Sequence, residues 1–183
     1  MSTRAYVACF VSLIQVAYSV SAGNGAEWIT FAPKNLGFSI QLPTTPTERQ
    51  RTDATTNKTV AGFRAERDGS VYVVTTNTLP GDPTEHGFDF DGICDLARKV
   101  HLNEPEGTLL SEKRTKVAEY PGHYAKFANR EGAASYFIES RIVIVGDRSY
   151  IMKVKYPGGD RAAEQEASRF LESFALRVQR SKG

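Results

Sequence analysis

The stretch ASYFIESRIVIV, Ala134 to Val145, is followed by Gly146-Asp147-Arg148 and then by SYIMKVKY, Ser149 to Tyr156. In the first segment Tyr136, Ile138, Ile142 and Ile144 fall on one face of an extended chain, with Phe137, Val143 and Val145 on the other. That period of two is the signature of a strand. Gly146 suits the first central position of a tight turn. In the returning segment Tyr150, Met152, Val154 and Tyr156 alternate with Lys153 and Lys155, so one face is apolar and the other polar. A long antiparallel hairpin is therefore the centre of the fold.

The same reading extends in both directions. Val60 to Glu66 and Ser70 to Leu79 are β-rich runs joined around Arg67-Asp68-Gly69, a hairpin signal. Phe38 to Leu42 alternates strictly and is stopped by Pro43; Trp28 to Phe31 is a short first strand. Thr108 to Ala118 and His123 to Asn129 read as two further strands around a turn at Tyr120-Pro121-Gly122. Thr44 to Thr59, rich in threonine and without a large apolar residue, reads as an exposed, mobile loop. Two helices complete the pattern. Phe90, Ile93, Ala97 and Val100 recur at helical spacing within Phe88 to Leu102. Behind the N-cap Asp160, residues Ala163, Ala167, Phe170, Leu171 and Phe174 share one stripe. Strands mostly in hairpins with two helices give an α+β fold on an antiparallel sheet.

The composition sets bounds. At 183 residues, with 40% apolar and 24% charged, the chain is of globular type and of one-domain size. Twenty-three basic against 21 acidic residues is too balanced to imply a nucleic-acid partner. The amino terminus is set apart. Arg4 is the only charge in the first 26 residues, and the run Ala5 to Val20 is apolar apart from Ser12, Gln15 and Ser19. Val20-Ser21-Ala22 then offers small residues at −3 and −1. This predicts a cleaved secretory signal peptide over 1–22, with a second cut after Ala26 as an alternative. The expected layout is a single α+β domain over 28–178 and a flexible tail over 179–183, secreted or periplasmic, without a stable membrane span after cleavage. Cys9 leaves with the leader, so Cys94 is the sole cysteine of the mature chain and reads as a small buried hydrophobe.

Three short patterns carry a resemblance: Gly37-Phe38-Ser39-Ile40-Gln41-Leu42-Pro43, Gly146-Asp147-Arg148-Ser149-Tyr150, and Arg169-Phe170-Leu171-Glu172-Ser173-Phe174. Together they resemble secreted bacterial domains of the PsbP-like superfamily over most of residues 28 to 178. The resemblance implies an α/β/α sandwich, a central antiparallel sheet with helices on both sides. Known members include accessory subunits of the photosynthetic oxygen-evolving complex and periplasmic proteins. The resemblance implies no shared active-site residues, and no cofactor is expected.

Motifs for nucleotides, dinucleotides, common metalloproteases and serine hydrolases are absent: no G-x-G-x-x-G, H-E-x-x-H, C-x-x-C or G-x-S-x-G occurs. A spatially assembled enzyme site would have to use His86, His101 or His123; His86 and His123 are the candidates. Glu85, His86, Asp89 and Asp91 form the densest polar cluster and the metal candidate, set against a helix start decorated with acids. His101 and Glu104 are followed at once by Pro105, which ends the helix, and His101 reads as a satisfied or solvated histidine rather than a ligand. Lys113, Arg114 and Lys116 form a small basic run, read as a solvated strand face. The expected function is a non-enzymatic accessory or binding module at the cell envelope, with another envelope protein as partner. The alternatives are an enzyme built around His86 or His123, or a metal-binding module.

Overall fold

The computed structural model describes residues 27–52, 59–79, 91, 94 and 107–177. Ten strands and one complete helix lie within them: β1 (Ile29–Phe31), β2 (Phe38–Leu42), β3 (Thr47–Thr52), β4 (Thr59–Arg67), β5 (Ser70–Thr78), β6 (Thr108–Val117), β7 (Tyr120–Glu131), β8 (Ala134–Val145), β9 (Arg148–Pro157), α1 (Arg161–Glu172) and β10 (Ala175–Leu176). The hairpin that decides the fold is β8–β9, paired from Tyr136 with Pro157 to Val145 with Arg148. It is the middle of a seven-stranded antiparallel sheet in the order β3-β4-β5-β9-β8-β7-β6. The β4–β5 turn uses Asp68 (φ 48°) and Gly69 (φ 76°), two successive left-handed residues, the geometry that matches the twist of a two-residue hairpin.

One face of this sheet carries Phe63, Tyr72, Val74, Val143, Met152 and Val154, all at most 1% exposed. A layer of two kinds covers it. The first is α1, whose stripe of Ala163, Ala167, Phe170 and Leu171 is buried. Asp160 caps the helix by accepting from the backbone N–H of Ala162 (2.9 Å) and Ala163 (3.1 Å). The second is a small sheet, β1-β2-β10, in which β2 pairs antiparallel with both neighbours. Its Phe38, Ile40 and Leu42 point into the same core. Phe38 is ringed by Phe174 (5.7 Å between centroids), Tyr150 (5.7 Å) and Phe63 (6.2 Å). Gly37 admits this closure: its φ of 70° favours glycine, and a Cβ there would lie 3.2 Å from the Tyr150 hydroxyl, which donates to the Leu36 carbonyl.

The other face of the sheet presents Ala125, Phe127, Tyr136 and Ile138 as a second buried cluster. Asp91 and Cys94 are helical, and Asp91 pairs with Arg114 on this face of β6. The remainder of the helix expected over Phe88 to Leu102 lies outside the described residues. The molecule is thus richer in sheet than a plain α/β/α sandwich, because a three-stranded sheet shares the first covering layer with α1.

Three local expectations are corrected. Thr47–Thr52, read as loop, is the edge strand β3, paired with β4 from Thr47–Arg64 to Thr52–Thr59. An exposed edge strand held by backbone pairing needs no apolar alternation, so its sequence carries no strand signal. The β6–β7 turn falls at Ala118 (φ 52°) and Glu119, not at 120–122; Pro121 pairs with Lys116 inside the ladder. Gly122 serves close packing: a Cβ would lie 2.8 Å from Thr115 Oγ1 and 3.0 Å from the Ile142 carbonyl oxygen. Finally, α1 ends at Glu172 with Ser173 as its cap, so Phe174 reaches the core from beyond the helix.

Candidate functional site

Pairing of β7, β8 and β9 brings Lys126, Glu139 and Val154 side by side, with Tyr124 and Tyr156 one pair to either side. All project on the face that α1 covers in part. Glu139 is 4% exposed among them. Its Oε1 accepts from the Tyr156 hydroxyl (2.5 Å) and lies 3.1 Å from Lys126 Nζ; its Oε2 accepts from the Tyr124 hydroxyl (2.9 Å). Lys126 also reaches up to α1, donating to Glu164 Oε1 at 2.6 Å, and its ammonium stands 5.0 Å from the Phe137 ring centroid. A carboxylate buried in a sheet is tolerable only when paired and hydrogen-bonded, and this one is both.

A second cluster fixes the start of β1 to the helix. Arg67 and the Tyr72 hydroxyl (3.1 Å) both donate to Glu166 of α1. Trp28 lies between the guanidinium groups of Arg67 (5.1 Å) and Arg169 (4.7 Å) and packs edge-on against Tyr72. The third is His123 on β7, 4% exposed, with Nε2 2.6 Å from Glu112 Oε1 of the neighbouring strand. Its Nδ1 is buried without a hydrogen-bond partner among the described residues.

The electrostatics decide what the first two clusters can do. Burial, followed by the adjacent Glu139 carboxylate, raises Tyr124 and Tyr156 well above the usual phenol value. Burial and Glu166 do the same for Tyr72. Burial by itself would lower Lys126, but its hydrogen bonds to Glu164, Tyr156 and Glu139 override this and raise it. Glu164 is lowered by its hydrogen bond to Lys126. The phenols stay protonated donors, the ammonium stays charged and the Glu164 carboxylate stays ionised. None is drawn toward neutrality, where general acids and bases work.

This predicts an alkaline limit to stability. Unfolded tyrosines lose their protons near pH ~10; the folded chain keeps those of Tyr72, Tyr124 and Tyr156 to higher pH. Their contribution is therefore complete below that point and is lost as pH rises through the folded values. The loss is up to about 1.4 kcal/mol per buried tyrosine per pH unit, and less for the partly exposed Tyr124. Denaturation followed against pH should show a plateau and then a steep fall above about pH 10, with tyrosinate absorbance from these residues appearing only on unfolding. Titration of all three in the folded state near pH 10 would contradict it.

Of the residues singled out from sequence, Glu85, His86, Asp89, His101 and Glu104 lie outside the described residues. Asp91 is exposed and engaged by Arg114. Cys94 is 4% exposed. No group of three metal-ligating side chains occurs among the described residues, and no helix there is long and apolar enough to cross a membrane. Lys113, Arg114 and Lys116 are exposed on β6, as expected. The Glu139 cluster was missed. Its signal was a charge at position 139 inside the most strand-like segment, on the face of Phe137 and Val143.

Neither a protein-family model nor a curated protein sequence matches the chain. Solved structures do. The chain is similar to a cyanobacterial PsbP from Synechocystis, with a TM-score of 0.52 and 9% identity, over 88% of this chain and 98% of that one. It is also similar to a protein from Bacteroides thetaiotaomicron, with a TM-score of 0.52 and 15% identity, over 84% of this chain and 50% of that one, so it spans half of that protein's length. The antiparallel sheet, the carboxyl-terminal helix on one face and these likenesses together show that the chain has a PsbP-like fold.

Proposed function

We propose that the protein is a secreted, non-enzymatic accessory or binding module that works at the cell envelope. The observation that carries this reading is the closure of the Glu139 cluster. Both carboxylate oxygens are engaged, by Tyr124, Tyr156 and Lys126, so the carboxylate is committed to contacts within the fold. His123, the described candidate for catalysis, is buried, with Nε2 held 2.6 Å from Glu112 Oε1. The polar clusters thus tie strands to one another and to α1, as a rigid scaffold for surface contacts requires. The leader-like pattern of residues 1–22 supports export.

The test has two readouts on the full chain carrying a carboxyl-terminal tag. Export should shorten the protein to begin at Gly23 or Glu27, as read by amino-terminal sequencing; an intact leader on cytoplasmic material overturns the localisation. Cross-linking in intact cells should give a discrete adduct with an envelope protein whose yield survives His86→Ala and His123→Gln. A biological effect abolished by either substitution in a folded protein, with no adduct, would favour an enzyme.

A further inference from the structure

The seven-stranded sheet ends in β6, and no strand lies beyond it among the described residues. β6 is ten residues long, and all but three of them are exposed. It is also irregular at one point. Leu109 pairs with Phe127 and Ser111 with Lys126, so Leu110 is an extra residue, bulged out of the ladder. In a regular strand Leu110 would take the place opposite Lys126. The bulge instead leaves it 50% exposed, the one exposed large hydrophobic side chain among the described residues. Bulges re-aim side chains in this way.

Charge follows along the same edge. By the pairing, Lys113 stands over the face of Tyr124, 5.2 Å from its ring, and Lys116 falls on the opposite face with Arg114. Arg114 is engaged by Asp91, and Glu112 is turned in to His123. The charge that β6 offers outward is thus positive, at positions three apart and on both faces. Leu110 stands a further three residues back.

We propose that β6 is a docking edge that accepts, by strand addition, an extended acidic segment of a partner protein. Backbone hydrogen bonds to this edge, beyond which no described strand lies, would supply the pairing, and side chains opposite β6 the selectivity. The pattern that fits is one apolar residue against Leu110 and carboxylates three and six residues along, against Lys113 and Lys116, since opposite charges across a strand pair attract. Edge lysines also discourage pairing with a like-charged strand, so the same residues that admit an acidic segment repel a second copy of this edge. This deepens the binding-module reading and rests on it.

The probe is a blocked synthetic peptide with Leu, Glu and Glu at every third position in a threonine–valine background, titrated into the isotope-labelled full chain. Amide shifts should concentrate on β6 and its neighbour β7. The double variant Lys113→Glu/Lys116→Glu, both positions being exposed, should keep its fold and weaken binding by about tenfold or more. Leu110→Asp should weaken it as well. A peptide with lysine in place of glutamate, or one N-methylated at alternate amides, should not bind. The proposal is overturned by absence of shifts, by shifts elsewhere, or by equal binding of the N-methylated peptide, which would mean charge attraction without strand addition. Concentration-dependent shifts of β6 without peptide would assign the edge to a second copy and overturn it too. Any of these failures leaves the export and cross-linking results standing, so the edge and the module reading are judged separately.

Discussion

Phe170→Ala is expected to destabilise the protein by about 3–5 kcal/mol, a large part of the ~5–15 kcal/mol that holds a whole domain together. Phe170 is fully buried on α1 and meets the Tyr72 ring edge-on at 5.4 Å. Its neighbours on the stripe are Ala163 and Ala167, small residues that let the helix backbone approach the sheet. They have no side-chain length with which to fill the space that the lost ring would leave, so a cavity should persist. The control is Glu172→Ala, at an exposed position of the same helix, where a change under about 0.5 kcal/mol is expected. Glu164 is not a neutral control, because it holds Lys126. Chemical denaturation of the two variants decides the matter. Equal midpoints would mean that α1 is not seated on the sheet through Phe170.

What was legible in the sequence was what local patterning encodes. β8 and β9 alternate over ten or more residues, and the β4–β5 turn places its left-handed φ values on Asp68 and Gly69, residues that tolerate them. The α1 stripe repeats at helical spacing behind a good cap. These features need no knowledge of distant neighbours. β3 was illegible because its order comes from backbone pairing with β4, while Thr47, Glu48, Arg49, Gln50 and Thr52 are exposed. Pro121 and Gly122 look like a turn and are instead strand residues: Pro121 pairs with Lys116 where the pairing to β8 has not yet begun, and Gly122 leaves room for Thr115 and Ile142 to close over it. Phe174 lies beyond the helix end but still enters the core, since Phe38 and Tyr150 make its pocket from two different sheets. The Glu139 cluster demanded the most, because its members come from three strands and a helix. Only the register of β7 on β8 and of β8 on β9 puts Lys126 and Tyr156 beside one carboxylate.

That cluster gives the second large effect. Glu139→Ala should cost about 3–5 kcal/mol, because it removes the acceptor for two tyrosine hydroxyls and the counter-charge of Lys126. The penalty comes from what is left behind. Tyr156 is 1% exposed and cannot turn to water, and the Lys126 side chain is 17% exposed. Glu164 remains as a second partner for Lys126, which places the expected value toward the lower end. If this account is right, the loss should be recovered by removing the stranded groups. Adding Lys126→Met and Tyr156→Phe to Glu139→Leu should return much of the stability, since a well-packed apolar set can replace a buried ion pair at little cost. Glu139→Leu alone should be nearly as harmful as Glu139→Ala despite its better volume, because filling space does not satisfy a hydroxyl or an ammonium. The triple variant should also lose part of the steep alkaline fall, as Tyr156 no longer contributes to it and Tyr124 no longer faces a carboxylate. Additive effects across Glu139, Lys126 and Tyr156, with no recovery in the triple variant and an unchanged alkaline limb, would show that Glu139 matters through its volume rather than through its charge and hydrogen bonds.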